Sequence, residues 1–242
     1  MLRKLFSIWL WCTGGIFFAF SCFIFIFSLT FLSKNTTFQI VRFLFAILIK
    51  IMGIKLVVKG LENIDFNKTY LIMGNHQSLF DAFVIPAAIP ICFTCVGAAH
   101  YFKMPVWGYL FRKWGCIPIQ RDNLNSAISS LEHARKVLMS GMSIVILPEG
   151  SRTLTGKMAS FKKGPFHLAK GAKSDILPFF ISGVFDYNQK SSMILRPGKV
   201  IMNIGKSISY NEFKNLSIEE LRQHIFDIIN NLSYATDHNK YL

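Results

Sequence analysis

The sequence predicts an α/β fold, a mostly parallel central sheet flanked by helices, behind an N-terminal membrane-anchoring two-helix segment. Two observations carry this. Short β-rich runs alternate with helical stretches from Ile54 onward, the pattern of strands joined by helical crossovers. Ahead of them, Leu5 to Ser33 holds no charged residue and is dominated by Phe, Ile, Leu and Trp. The boundary falls near residue 55, with the anchoring helices in 1–55 and the α/β domain in 56–242. With 242 residues, 52% hydrophobic and 17% charged, the chain is long enough for a sizeable core and too apolar for disorder. Five Cys are too sparse for a disulfide scaffold.

The first segment exceeds the ~20 residues that cross a bilayer core and the ~7–15 of a signal-peptide core. It reads as a retained anchor. A second apolar stretch, Phe38 to Met52, is interrupted by Arg42 and Lys50. An arginine at mid-membrane costs about 2.5–3.5 kcal/mol or more, so this stretch reads as interfacial or re-entrant. Trp9 and Trp11 suit the headgroup layer. Strands are expected at Ile54–Val58, Tyr70–Met73, Ile91–Val96, Ile144–Leu147, Ile176–Ile181 and Val200–Ile204, with a short one after Gly115. A helix is expected over Leu124–Met139, closed by Gly141 in the left-handed region. Ser217-x-x-Glu220 is a capping box, followed by an apolar stripe at Ile218, Leu221, Ile225, Ile228, Ile229 and Leu232.

Lysine and arginine number 27 against 13 acids, a net charge of +14. Basicity alone fits nucleic acid or an anionic membrane. Basicity joined to 24 Phe fits the membrane, because each cation near an anionic surface contributes about 1 kcal/mol. Nucleic acid is therefore not an expected partner. Cys92-x-x-Cys95 has zinc and redox spacing, but no second Cys pair accompanies it and it lies in an apolar strand pattern, so these read as core cysteines and no metal site is expected.

Three strand ends carry polar clusters. Tyr70-Leu-Ile-Met-Gly leads into Asn75-His76-Gln77-Ser78, with Asp81 five residues after His76. A helix starting there brings Asp81 back to the imidazole, fixing its tautomer and leaving the other nitrogen free as a base. Ile144-Val-Ile-Leu leads into Pro148-Glu149-Gly150-Ser151-Arg152, where Gly150 permits close backbone approach and Arg152 offers a planar fork for phosphate. Gly115-Cys-Ile-Pro-Ile-Gln leads into Arg121. Singly, each motif is equally a capped helix or a solvated charge. No Gly-x-Ser-x-Gly nucleophile elbow is present.

In this order and spacing the runs resemble the glycerophospholipid acyltransferase family, nearest to bacterial 1-acyl-glycerol-3-phosphate acyltransferases. Asn75-His76-Gln77-Ser78 with Asp81 matches its His-x4-Asp block. Gly115 to Arg121 resembles the second block, Pro148 to Arg152 the third and Leu177-Pro178 the fourth. Phe161-Lys162-Lys163-Gly164 resembles a basic turn that follows the third.

The resemblance implies transfer of an acyl group from a thioester to the 2-hydroxyl of a lysophospholipid. His76 would act as base and Asp81 would orient it. Arg121, Arg152 and Lys162 or Lys163 would hold the acceptor phosphate, with Glu149 and Gly150 shaping its pocket. The donor would be acyl-CoA or acyl-carrier protein, with no cofactor or metal besides. The enzyme would be membrane-bound with its catalytic domain on the cytoplasmic face. Where many members carry a lysine pair, this sequence has Ala98-Ala99 before His100. That leaves room for another lysolipid acceptor, and a lipid or thioester hydrolase using the same His and Asp is the competing chemistry.

Overall fold

The computed structural model describes residues 2–120 and 124–237. Its strands are β1 (Ile54–Lys59), β2 (Tyr70–Gly74), β3 (Phe93–Ala98), β4 (Ile117–Ile119), β5 (Ser143–Ile146), β6 (Asp175–Ser182) and β7 (Gly198–Ile204). They form one sheet in the order β1-β7-β6-β2-β5-β3-β4. Neighbours run parallel except β6 and β7. The predicted α/β class with a mostly parallel sheet is the one found.

The helices are α1 (Leu2–Phe31), α2 (Lys34–Ile51), α3 (Asp81–Ala88), α4 (Pro105–Trp114), α5 (Leu124–Met139), α6 (Gly164–Ala172), α7 (Val184–Tyr187), α8 (Tyr210–Phe213) and α9 (Ile218–Asp237). Alternation along the strands splits the core in two. Tyr70, Ile72, Leu177, Phe179 and Ile181 face a cluster shared with α2 and α3. Leu71, Met73, Ile144, Ile146 and Ile176 face a cluster shared with α5, α6 and α9. The central strands β2 and β5 are buried on both faces, as parallel strands between two helical layers must be. Pro178, which has no N–H to give, sits just before the ladder from β6 to β7 begins at Phe179.

The caps form as the sequence suggests. Gly141 at φ 89 closes α5, with its N–H on Leu138 O and that of Met142 on Val137 O, a Schellman ending. Ser217 N–H donates to Glu220 Oε2 at 2.7 Å and Glu220 N–H to Ser217 Oγ at 3.2 Å.

The N-terminal helices are not a stalk. Thr37, Phe38, Val41, Leu44, Phe45, Leu48 and Ile49 of α2 are buried, most of them in the same cluster as the sheet. Helix α1 lies against the domain along its length. Near its start, Ser7 Oγ accepts from Leu195 N–H at 3.0 Å and Trp11 Nε1–H donates to Met193 O at 2.8 Å. Farther on, Phe18 meets Phe83 and Trp107, and Phe25 meets Trp114. Its other side presents Ile16, Phe20, Phe23, Phe27 and Phe31 to the outside.

Candidate active site

Strand order sets the place of the site. From β2 the chain crosses by α3 to β3 on one side; from β5 it crosses by α6 to β6 on the other. Strands β2 and β5 are neighbours, so the gap beyond their carboxyl ends is a topological switch point, where such sheets open a crevice. His76 follows β2 and Glu149 follows β5.

His76 Nδ1 and Asp81 Oδ2 are 2.7 Å apart. Asp81 opens α3 and is fully enclosed. Its Oδ2 also accepts from the backbone N–H groups of Gln77 at 2.7 Å and Ser78 at 3.0 Å. These bonds wrap residues 76–78 around the carboxylate, the local reason the chain turns into α3. With Nδ1 engaged, Nε2 is the remaining ring nitrogen; it has no partner among the described residues, and the side chain is 24% exposed. A carboxylate-oriented imidazole with an open second nitrogen can take a proton from a bound hydroxyl or water.

The residues around His76 are each tied to a different element. The Asn75 side chain pairs with Ile181 like an extra strand residue, donating to its O at 2.8 Å and accepting from its N–H at 2.7 Å. Gln77 Oε1 accepts from Phe185 N–H. Ser78 Oγ donates to Asn188 O at 2.8 Å, so this buried hydroxyl is spent on structure. Trp11 of α1 meets Phe80 in a tilted ring contact at 5.7 Å, and Phe80 in turn meets Tyr187 at 4.7 Å. The loop from Asn188 to Leu195 is thereby held between α1 and the histidine block.

Glu149 is 4% exposed, with both oxygens on backbone amides. Oε1 accepts from His76 N–H at 2.7 Å and Oε2 from Ala159 N–H at 2.8 Å. It joins the histidine backbone to the loop after β5 and does not present itself to a ligand. Burial pushes its carboxyl above the ordinary value of 4.5, against the two amides, which pull it down. Gly150, at φ 76, gives its N–H to Leu147 O and turns the chain after Glu149. Thr153 then donates its N–H to His76 O at 2.9 Å, and its Oγ1 gathers the N–H groups of Thr155 and Gly156 and donates to Lys157 O.

Of the predicted phosphate ligands, Arg152 adjoins Thr153 and so stands one residue from a direct bond to the His76 backbone; its side chain is half-buried. Lys162 has an exposed side chain and is tied to the third block only by its N–H on Pro148 O at 2.8 Å. Lys163 is engaged with Glu219 of α9 at the surface. Arg121 lies outside the described residues. Sequence reasoning missed Thr153, Asn188 and Trp11, which act through contacts distant in sequence. Cys95 is not paired with Cys92: its Sγ lies 3.4 Å from that of Cys116, just before the neighbouring strand β4.

A seven-stranded doubly covered sheet with a carboxylate-oriented imidazole at its switch point is an arrangement that can accept a proton from a bound hydroxyl or water. The chain belongs to the acyltransferase family, whose pattern it matches over residues 55–182. It is similar to a 1-acyl-sn-glycerol-3-phosphate acyltransferase of Cocos nucifera, 30% identical over 183 residues, 75% of this chain and 58% of that one. One from Borreliella burgdorferi is 31% identical over 156 residues, 64% of this chain and 59% of that one. The chain spans about half the length of the first curated relatives it matches. The fold is that of the 1-acyl-sn-glycerophosphate (LPA) acyltransferase PlsC from Thermotoga maritima, with a TM-score of 0.85 at 21% identity, covering 97% of this chain and 98% of that one.

Proposed function

We propose that this chain transfers a fatty acyl group from a thioester to the 2-hydroxyl of 1-acyl-sn-glycerol 3-phosphate, giving phosphatidic acid. The supporting observation is the 2.7 Å contact between His76 Nδ1 and Asp81 Oδ2 at the switch point, with Nε2 open. The acceptor hydroxyl gives its proton to Nε2 as its oxygen attacks the thioester carbonyl. The tetrahedral intermediate then collapses, the C–S bond breaks, and the leaving thiolate takes the proton back from the imidazolium. Attack is direct, so no acyl-enzyme forms and no metal or cofactor enters. Arg152 and Arg121 hold the acceptor phosphate, with Lys162 at the rim. The donor is acyl-CoA or acyl-carrier protein, both anionic, as the basic chain favours.

The protein is membrane-associated in this reading, and the packing of α1 against the domain near both ends supports an in-plane helix over a spanning one. Helix α1 lies in the interface plane with its Phe-rich outer side in the acyl region. The lipid acceptor then enters from the leaflet, and a soluble donor reaches the site from the cytoplasmic face.

Purified chain with labelled 1-acylglycerol 3-phosphate and each thioester should yield phosphatidic acid, and His76→Ala should lower the rate by about 10²–10⁴. Full activity in that variant removes the mechanism. Free fatty acid released without an acceptor marks a hydrolase instead. Ala98 and Ala99 make a lyso-ornithine lipid or larger-headgroup lysophospholipid the second acceptor to assay.

A further inference from the structure

Helix α4 carries an outer side that the site does not use. It starts at Pro105 and ends at Gly115, φ 85. Its inner side is fixed: Gly108 passes so close to Phe102 that an added Cβ would stand 2.3 Å from the carbonyl oxygen, and Leu110 and Trp114 are buried. The rings of Trp107 and Trp114 lie 5.2 and 5.6 Å from Phe18 and Phe25 of α1, so α4 runs beside the Phe-rich helix. On the outer side Val106 is 55% exposed and Tyr109 41%, with Met104 at 48% just before the helix. Lys103 and Lys113 are exposed around them, as is Arg112, whose guanidinium also donates to Phe102 O, and the Lys34 ammonium lies 5.2 Å over the Trp114 ring.

The charge pattern there is one-sided. From Ala82 to Gln120 the sequence contains no Asp or Glu. On the opposite side of the sheet, cations meet acids: Arg135 pairs with Glu132, and Lys163 and Arg222 with Glu219. A water-facing helix has no use for three exposed apolar side chains among cations that have no anionic partner among the described residues. An anionic bilayer satisfies both, taking up the apolar groups and neutralising the cations.

We propose that the outer side of α4 is a second bilayer contact, seating Met104, Val106 and Tyr109 in an anionic membrane surface beside α1. It rests on the in-plane reading of α1 and adds a lipid preference to it. Each cation near such a surface shifts partitioning by about fivefold, so Lys103, Arg112 and Lys113 make docking of this edge dependent on anionic lipid. Two contacts also set the tilt of the domain, which one helix alone leaves free to roll.

The test uses the full chain with Cys12→Ser, whose remaining thiols are buried or half-buried. Nitroxide labels are placed singly at Val106→Cys, Phe20→Cys and Met139→Cys, and the unlabelled-site parent serves as blank. Vesicles are phosphatidylcholine with and without phosphatidylglycerol, and access of oxygen and of an aqueous nickel chelate is measured. Position 106 should be as shielded from nickel as position 20 in anionic vesicles, with position 139 open. The triple change of Lys103, Arg112 and Lys113 to Gln, or neutral vesicles, should reopen position 106 while 20 stays shielded. Position 106 open to nickel with 20 shielded overturns the α4 contact alone. Both open overturns the α1 reading as well. Spin–spin broadening at 106 identifies a second copy of the chain on this side and also overturns the proposal.

Discussion

The imidazole of His76 is held by two kinds of contact with different consequences. Asp81 acts on the ring and on the Gln77 and Ser78 amides; Glu149 and Thr153 act on the backbone of His76 itself. Asp81→Asn keeps one carbonyl oxygen that can still accept from the two amides, so it should leave the fold close to intact while presenting its amide nitrogen to Nδ1. It should lower kcat by at least about 10²-fold with little change in KM, a split that steady-state kinetics will read. Glu149→Gln acts differently. An amide side chain can accept from only one of the two N–H groups, leaving the other buried and unpaired at a cost of about 1–3 kcal/mol. Because burial raises the Glu149 carboxyl in the folded protein, its contribution to stability is fully present below its ordinary value of 4.5. That contribution is lost as pH rises through the folded-state value. The Tm difference between wild type and Glu149→Gln should thus shrink from pH 4.5 upward; a difference that widens would refute the raised carboxyl.

At the scale of elements, β2 delivers the histidine and its neighbours set the position. Gly74 ends β2 where an added Cβ would lie 2.2 Å from the buried Phe179 ring on β6. Gly74→Ala must displace that buried ring, at about 1–3 kcal/mol, and Phe179→Leu in the same chain should recover part of the lost Tm. Helix α1 is a second positioning element. Trp11 touches Phe80, next to Asp81, and bonds Met193 in the loop whose Asn188 holds Ser78. Trp11→Ala should lower turnover about 10-fold or more while vesicle binding persists, since a displacement near 1 Å can cost about 10²-fold. Trp11→Phe keeps the ring and should retain most of the rate; equal loss in both variants would assign the effect to the hydrogen bond.

For the whole molecule, the two core clusters divide the labour. The layer of α5, α6 and α9 is a water-facing cover with ion pairs on its surface. The layer of α1 to α4 has apolar groups on both sides, one against the sheet and one outward. Removal of residues 1–33 should expose the surfaces against which α1 packs and free the loop at Met193. Activity should fall even toward a water-soluble short-chain acceptor, where anchoring is irrelevant. Retention of full rate by that truncated chain would reduce α1 to an anchor.

Much of this was legible along the chain. Short β-rich runs located the strands, Gly141 marked the end of α5, and a capping box with an apolar stripe marked α9, since these are local constraints on residue type. The His76–Asp81 contact was legible because a helix start folds five residues back on themselves. The long apolar run marked α1, yet composition could not tell a spanning helix from one lying along a domain, because both demand the same residues. The tertiary structure adds contacts from α1 to the domain at Ser7 and Trp11 and again at Phe25, which support the proposed in-plane arrangement. It also turned Glu149 inward onto backbone amides and placed Trp11 beside the histidine block. Those assignments depend on which strands are neighbours, and strand order arises from packing energies summed across the sheet, which no single segment records.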